Sequence, residues 1–158
     1  MRREFGKSMV ELARKDPSVY LIVGDIGHGI FDAYKREFSD RYLNLGLTEQ
    51  STIGVAAGMA LRGLKPWVYT ITTFLVERPW EQVKLDVDQQ RANVKLVGYA
   101  DYPELGPTHA CDDRGIAGLL KNTRAYFPTD SAETKRATLE AFEHMGPCFI
   151  SLKKDKTL

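Results

Sequence analysis

The sequence is poor in the features that would commit a chain to a specialised class. It has 2 cysteines and 3 histidines in 158 residues. Cys111 and Cys148 stand far apart with no companion at zinc-ligand spacing, which excludes a zinc knuckle and predicts reduced thiols in a cytoplasmic protein. No charge sign dominates: 22 Lys and Arg face 21 Asp and Glu, for a formal net charge of +1. Bulk electrostatics therefore select neither nucleic acid nor an anionic membrane as partner. No apolar run approaches the ~20 residues of a membrane span. The opening "MRREFGKSMVELARK" carries charges where a signal peptide needs its apolar centre. There are 7 prolines, with no repeat, low-complexity tract or long linker. The expectation is one domain over residues 1–158, long enough to bury one sizeable core.

What is present is an alternation of two patterns. "VYLIVGD" (Val19 to Asp25), "YLNLG" (Tyr42 to Gly46), "PWVYTIT" (Pro66 to Thr72), "VKLVGY" (Val94 to Tyr99), "TRAYF" (Thr123 to Phe127) and "CFISLK" (Cys148 to Lys153) are short, branched or aromatic runs bounded by Gly, Pro or Asp. They predict six strands. Between them, helical patterns cover Glu4 to Arg14, Thr48 to Leu61, Val76 to Gln90, Asp113 to Leu120 and Ala132 to His144. Near-continuous apolar strands joined by helices predict an α/β fold: an open, mainly parallel six-stranded sheet with helices on both faces.

In such a sheet, ligands bind beyond the carboxyl ends of the strands, where loops and helix N-termini gather. The first strand is followed there by Asp25 in "GDIGHG", the second by Glu49 in "LTEQ", the third by Phe74, the fourth by His109 in "ADYPELGPTH". Each has a plain alternative. A glutamate in the first turn of a helix is favoured by the dipole alone. An aromatic at a strand end is commonly buried. A single histidine reads equally as a loop residue or as a catalyst. The glycines of "GDIGHG" lack the Gly-x-Gly-x-x-Gly spacing of a dinucleotide loop. Gly54, Ala56, Ala57, Gly58 and Ala60 lower helix propensity and predict close packing against another backbone.

Several of these stretches occur together in a recognisable order. "RYLNLGLTEQSTIGVAAGMALRGLKPWVYTITTFLVERPWEQVK", then "GPTHACDD", "FPTD" and "GPCFISLKK" resemble the pyrimidine-binding domain of the transketolase family of thiamine diphosphate enzymes, from about Gly24 to Lys154. The resemblance gives Glu49 a purpose. In that family a glutamate hydrogen-bonded to N1′ of the aminopyrimidine activates the cofactor, and it must share a proton in a dry place. Glu49 matches it. Phe74 matches the aromatic that stacks on the aminopyrimidine, and Trp80 falls where a second pocket aromatic is common. Asp25 resembles an acidic residue near the thiazolium. His109 matches the histidine that meets the donor substrate's oxygens, and Lys153 or Lys154 falls near a basic residue used for a sugar phosphate. The small residues after Glu49 resemble a close dimer contact.

The departures are equally specific. Relatives acting on ketose phosphates commonly read "DGPTH"; here Leu105 replaces that Asp, with Glu104 beside it, so selection for a donor hydroxyl is weakened. Glu77 stands where many relatives have an aromatic. The diphosphate-binding pattern, Gly-Asp-Gly followed later by Asn to hold Mg²⁺, is not matched by "GDI" and Asn44. The resemblance thus implies half a site: a subunit that supplies the aminopyrimidine pocket for two-carbon (ketol) transfer and needs a diphosphate-binding partner that brings Mg²⁺, with self-association through the pyrimidine domain. No metal ligand is assigned to this chain. The alternatives are a non-catalytic interaction domain and a subunit of a 2-oxo-acid decarboxylase or dehydrogenase.

Overall fold

A computed structural model describes residues 1–99 and 105–153. Six strands, β1 (Val19–Val23), β2 (Tyr42–Asn44), β3 (Lys65–Ile71), β4 (Lys95–Tyr99), β5 (Arg124–Tyr126) and β6 (Cys148–Leu152), form one sheet in the order β2-β1-β3-β4-β6-β5. Every neighbouring pair is parallel. The helices are α1 (Arg2–Lys15), α2 (Asp32–Glu37), α3 (Glu49–Leu61), α4 (Thr72–Val76), α5 (Trp80–Gln82, continued by a π-helical stretch Val83–Gln89), α6 (Asp113–Gly118) and α7 (Ser131–Glu143).

The two-residue period of the strands divides the core. Leu21, Val23, Trp67, Tyr69, Val97 and Ile150 face one side, where Phe5, Met9 and Leu12 of α1 and Ala141 of α7 cover them. Ile22, Val68, Leu96 and Phe149 face the other, against Ile53 and Ala56 of α3, Leu75 of α4 and Val83 and Val87 beyond α5. Strands buried on both faces have no room for an alternating polar residue, which is why their sequences read as continuous apolar runs. Phe5 shows the packing: it is fully buried, stacked on Tyr69 at 5.9 Å and edge-on to Phe31 at 5.9 Å. Burying one such side chain is worth about 2–3 kcal/mol.

The structure corrects three expectations. The helix expected over Val76 to Gln90 is broken, because α4 ends at Val76 and α5 begins at Trp80. Pro79 disfavours helical geometry in the residue before it, so the chain turns at Glu77 and Arg78. The strand expected to run to Asp25 ends at Val23, and Asp25 takes a left-handed conformation with φ 54°. Helix α2 was not expected; its Tyr34 and the flanking Phe31 and Phe38 are all buried. Glu104 and Lys154 lie outside the described residues.

Candidate functional site

The carboxyl ends of the strands gather the candidate side chains as the parallel topology requires. Helix α3 opens immediately after the β2 loop and places Glu49 at its first position, where the dipole favours a carboxylate. Thr48 precedes it without a side-chain capping bond and instead donates its hydroxyl to the Leu45 carbonyl at 2.8 Å. Glu49 is 8% exposed, unusually covered for a charged group. It lies between two spaces. On the inner side it shares a small apolar recess with Gly24, Thr52, Ile53, Val68, Thr70 and Leu75. On the outer side it lines an open groove of about 500 Å³ with Leu47, Thr48, Gln50, Ser51 and Arg78.

Phe74, in the middle of α4, is buried. Its ring meets the His109 imidazole edge-on, with centroids 4.8 Å apart at 68°. His109 ends a 3-10 turn, Pro107–His109, that follows Gly106. With φ 91° at that glycine the chain takes a bend that a side chain would resist. His109 Nδ1 shares a 2.9 Å hydrogen bond with the Thr108 hydroxyl, with the proton on either partner. Glu49, Phe74 and His109 thus lie on one rim, and the residue linking them was not singled out in the sequence. Arg78 Nη1 donates to Glu49 Oε1 at 2.8 Å, and the guanidinium carbon sits 3.6 Å from the centroid of Phe74.

The remaining candidates are placed differently. The Asp25 backbone N–H donates to Asn44 Oδ1 at 3.0 Å, and Asn44 Nδ2 donates to Asp25 Oδ1 at 3.2 Å. This reciprocal pair fixes the β1 and β2 loops beside Gly24 and stabilises the left-handed turn, a conformation Asp tolerates better than most residues. Lys153 Nζ is bound to Asp113 Oδ2 at 3.2 Å, and that carboxylate also accepts from the Ser151 hydroxyl. Trp80 packs on the α3 side of the core and lines a separate cleft with Val76, Glu77, Ile116 and Leu119. Leu105 is 59% exposed. Cys111 is half-buried and Cys148 is buried, and among the described residues neither forms a disulfide. Among the described residues no group of three or more His, Cys, Asp or Glu is placed to hold a metal ion, and no helix is long and apolar enough to cross a membrane.

The small-residue helix has a second side. Its inner face carries Ile53, Ala56 and Ala57 into the core, while Gly54, Gly58, Val55 and Leu61 stay exposed, with Leu47 beside its start. A Cβ built on Gly54 or Gly58 would meet nothing within 4 Å. Those glycines are not demanded by packing within this chain. They leave a smooth apolar face on which another backbone can lie closely.

Comparison with known proteins agrees with this fold. The family model described as transketolase, pyrimidine binding domain, matches residues 1–157. A putative transketolase C-terminal section from Methanocaldococcus jannaschii is 29% identical over 162 residues, covering 99% of this chain and 51% of the relative. One of the subunits of an apulose-4-phosphate transketolase from Actinobacillus succinogenes is 38% identical over 121 residues, covering 74% of this chain and 39% of the relative. Among solved structures, an inactive beta4 tetramer of a split gene transketolase superposes with a TM-score of 0.87 at 28% identity, over 98% of this chain and 51% of that one. The chain spans about half the length of curated relatives such as the Methanocaldococcus jannaschii protein.

Proposed function

From the premise that this chain belongs to the transketolase pyrimidine-binding domain family, we propose that it is the pyrimidine-binding subunit of a split, thiamine diphosphate-dependent enzyme of transketolase type. The reading rests chiefly on one observation: a nearly buried carboxylate, Glu49, shares a rim with an aromatic face, Phe74, and an imidazole, His109. The names of relatives support it, since a transketolase C-terminal section and a separate subunit of an apulose-4-phosphate transketolase are both similar to most of this chain.

The residues fit an aminopyrimidine. Glu49 and Phe74 already embrace a flat, nitrogen-bearing cation in the guanidinium of Arg78. The Thr52 hydroxyl oxygen, in the recess beside Glu49, is buried without a hydrogen-bond partner among the described residues. When bound, thiamine diphosphate supplies the electron sink that carbon–carbon cleavage next to a carbonyl requires. Glu49, nearly buried at the start of α3, would hold the proton shared with N1′. Phe74 orients the ring and excludes water from one face. His109, half-buried with its ring against Phe74, donates to or accepts from substrate oxygens. Asp25, in the loop after β1, is the acidic residue that would stand near the cationic ring. Lys153 is the candidate for a phosphate group and would have to exchange Asp113 for it. Trp80 faces a different cleft and takes no part in this assignment.

Magnesium and the diphosphate are assigned to a partner subunit, and the exposed face of α3 to self-association of the chain. The substrate class is a ketose phosphate or a related two-carbon donor. With Leu105 in place of an acidic residue, recognition of the donor hydroxyl rests on other groups.

The test is reconstitution. The chain is purified with whatever stoichiometric partner accompanies it, loaded with thiamine diphosphate and Mg²⁺, and screened against ketose phosphates and 2-oxo acids. Two-carbon transfer that falls at least about 100-fold in Glu49→Gln, with assembly unchanged, is the expected result. A homo-oligomer that binds no thiamine diphosphate with any diphosphate-binding partner overturns the reading.

A further inference from the structure

Arg78 holds a place that the proposed function reserves for another group. Its Nη1 donates to Glu49 Oε1 at 2.8 Å while its guanidinium carbon lies 3.6 Å over the Phe74 ring. A guanidinium and an aminopyrimidine present the same chemistry to this slot. Both are flat, both hydrogen-bond the carboxyl group in their own plane, the guanidinium by donating N–H and the aminopyrimidine through the proton N1′ shares with Glu49, and both lay a π-face on an aromatic ring. One Glu49 oxygen and one face of Phe74 cannot serve both at van der Waals contact. The two partners of the ion pair are also unlike: the Glu49 side chain is 9% exposed and that of Arg78 46%. The carboxylate is fixed by α3, whereas the arginine reaches in from the turn between α4 and α5, ahead of Pro79, along a groove open to solvent. Swinging out costs it one half-exposed ion pair and one cation–π contact.

We propose that Arg78 is a resident stand-in for the aminopyrimidine: it neutralises the activating carboxylate and covers the stacking face in the cofactor-free chain, and the cofactor must displace it. This rests on the assignment of Glu49 and Phe74 to thiamine diphosphate. Its consequence is a built-in tax on cofactor affinity. The competent state of the slot is the minor one until Arg78 leaves, and the apparent dissociation constant rises by the inverse of that fraction. The device keeps a nearly buried carboxylate from standing uncompensated before the second half of the site arrives.

The experiment is a calorimetric titration of thiamine diphosphate, with Mg²⁺ in excess, into the cofactor-free complex of this chain with its diphosphate-binding partner. Wild type, Arg78→Leu, Arg78→Lys and Glu49→Gln are compared. The expected result is binding tightened about 5-fold in Arg78→Leu. Arg78→Lys is expected to tighten it nearly as much, because an ammonium keeps the charge but cannot lie flat on Phe74 while bonding Glu49. Equal or weaker binding in Arg78→Leu, while the wild type binds and Glu49→Gln loses activity, overturns the stand-in and leaves the proposed function intact. Tightening in Arg78→Leu with Arg78→Lys behaving as wild type also overturns it, since charge alone would then be the cause. If the wild-type complex takes up no thiamine diphosphate, both readings fall together.

Discussion

At the amino ends of the strands Lys95 is wholly enclosed: it is 0% exposed, and its ammonium donates to Asn93 Oδ1 at 2.6 Å, the His144 carbonyl at 2.7 Å and the Gly146 carbonyl at 2.6 Å. At the carboxyl ends Arg78 is half exposed and has one carboxylate oxygen and one aromatic face. Three donors meeting three fixed acceptors leave Lys95 nothing to gain by moving. Burial pushes its pKa down to about 8, with the Cys148 thiol acting in the opposite direction. Asp16, at the same end, follows the same rule. Burial alone would raise its carboxyl, but hydrogen bonds from Lys65 and from the Ser18 hydroxyl and backbone N–H outweigh that and hold it at about 2. A polar group kept for structure is satisfied by neighbours that cannot leave. The groups at the other end are satisfied by one that can.

The comparison breaks most visibly at Lys95. Lys95→Met leaves two backbone carbonyls and the Asn93 side-chain oxygen without their donor, and is expected to cost about 2–4 kcal/mol in a urea titration. Its folded pKa lies below the ordinary lysine value, so between the two the unfolded chain holds the extra proton and raising the pH stabilises the fold. Wild-type stability should therefore climb from about pH 8 to pH 9, below the ordinary titration of the Cys148 thiol, and Lys95→Met should lack that climb. Gly98→Ala comes next. Its new Cβ would press on Thr72, the first residue of α4, and an expected loss of about 1–3 kcal/mol would be joined by weaker cofactor binding, because α4 carries Phe74.

Asp16→Asn should cost about 1 kcal/mol at neutral pH. With the folded pKa lowered, that contribution is present above pH 3.8 and lost as pH falls toward 2, so the wild type and Asp16→Asn should converge in acid unfolding curves. Arg78→Leu should cost no more than about 1 kcal/mol despite breaking a contact to a nearly buried carboxylate, since its partner keeps access to groove solvent. A larger loss in a thermal melt would place Arg78 with the structural cations. The exposed Arg14–Glu37 pair is the zero of the scale: Arg14→Ala should leave the Tm within about 1 °C.

Much of the sheet was legible because its strands are buried on both faces and their apolar runs have no competing explanation. Glu49, Phe74 and His109 were legible as a rim because parallel strands deliver their carboxyl ends to one edge, and as candidates because the motifs around them resemble a known family. Helix α2 was missed although Phe31, Tyr34 and Phe38 fall at helical spacing; six residues carry too few turns for periodicity to register. The break between α4 and α5 was signalled by Pro79 and passed over in favour of the longer amphipathic pattern. Arg78 had no motif to announce it. Its pairing spans 29 positions and depends on that break, so it becomes visible only when α3 and α4 are set side by side.

The sheet ends on both sides in its shortest strands, β2 and β5, each of three residues. A foreign strand adding to either edge would find only a few rungs before the backbone turns away, too few to hold it. Sticky at α3 and blunt at its margins, the chain is protected against fibrous, edge-to-edge growth while one apolar helix face stays uncovered.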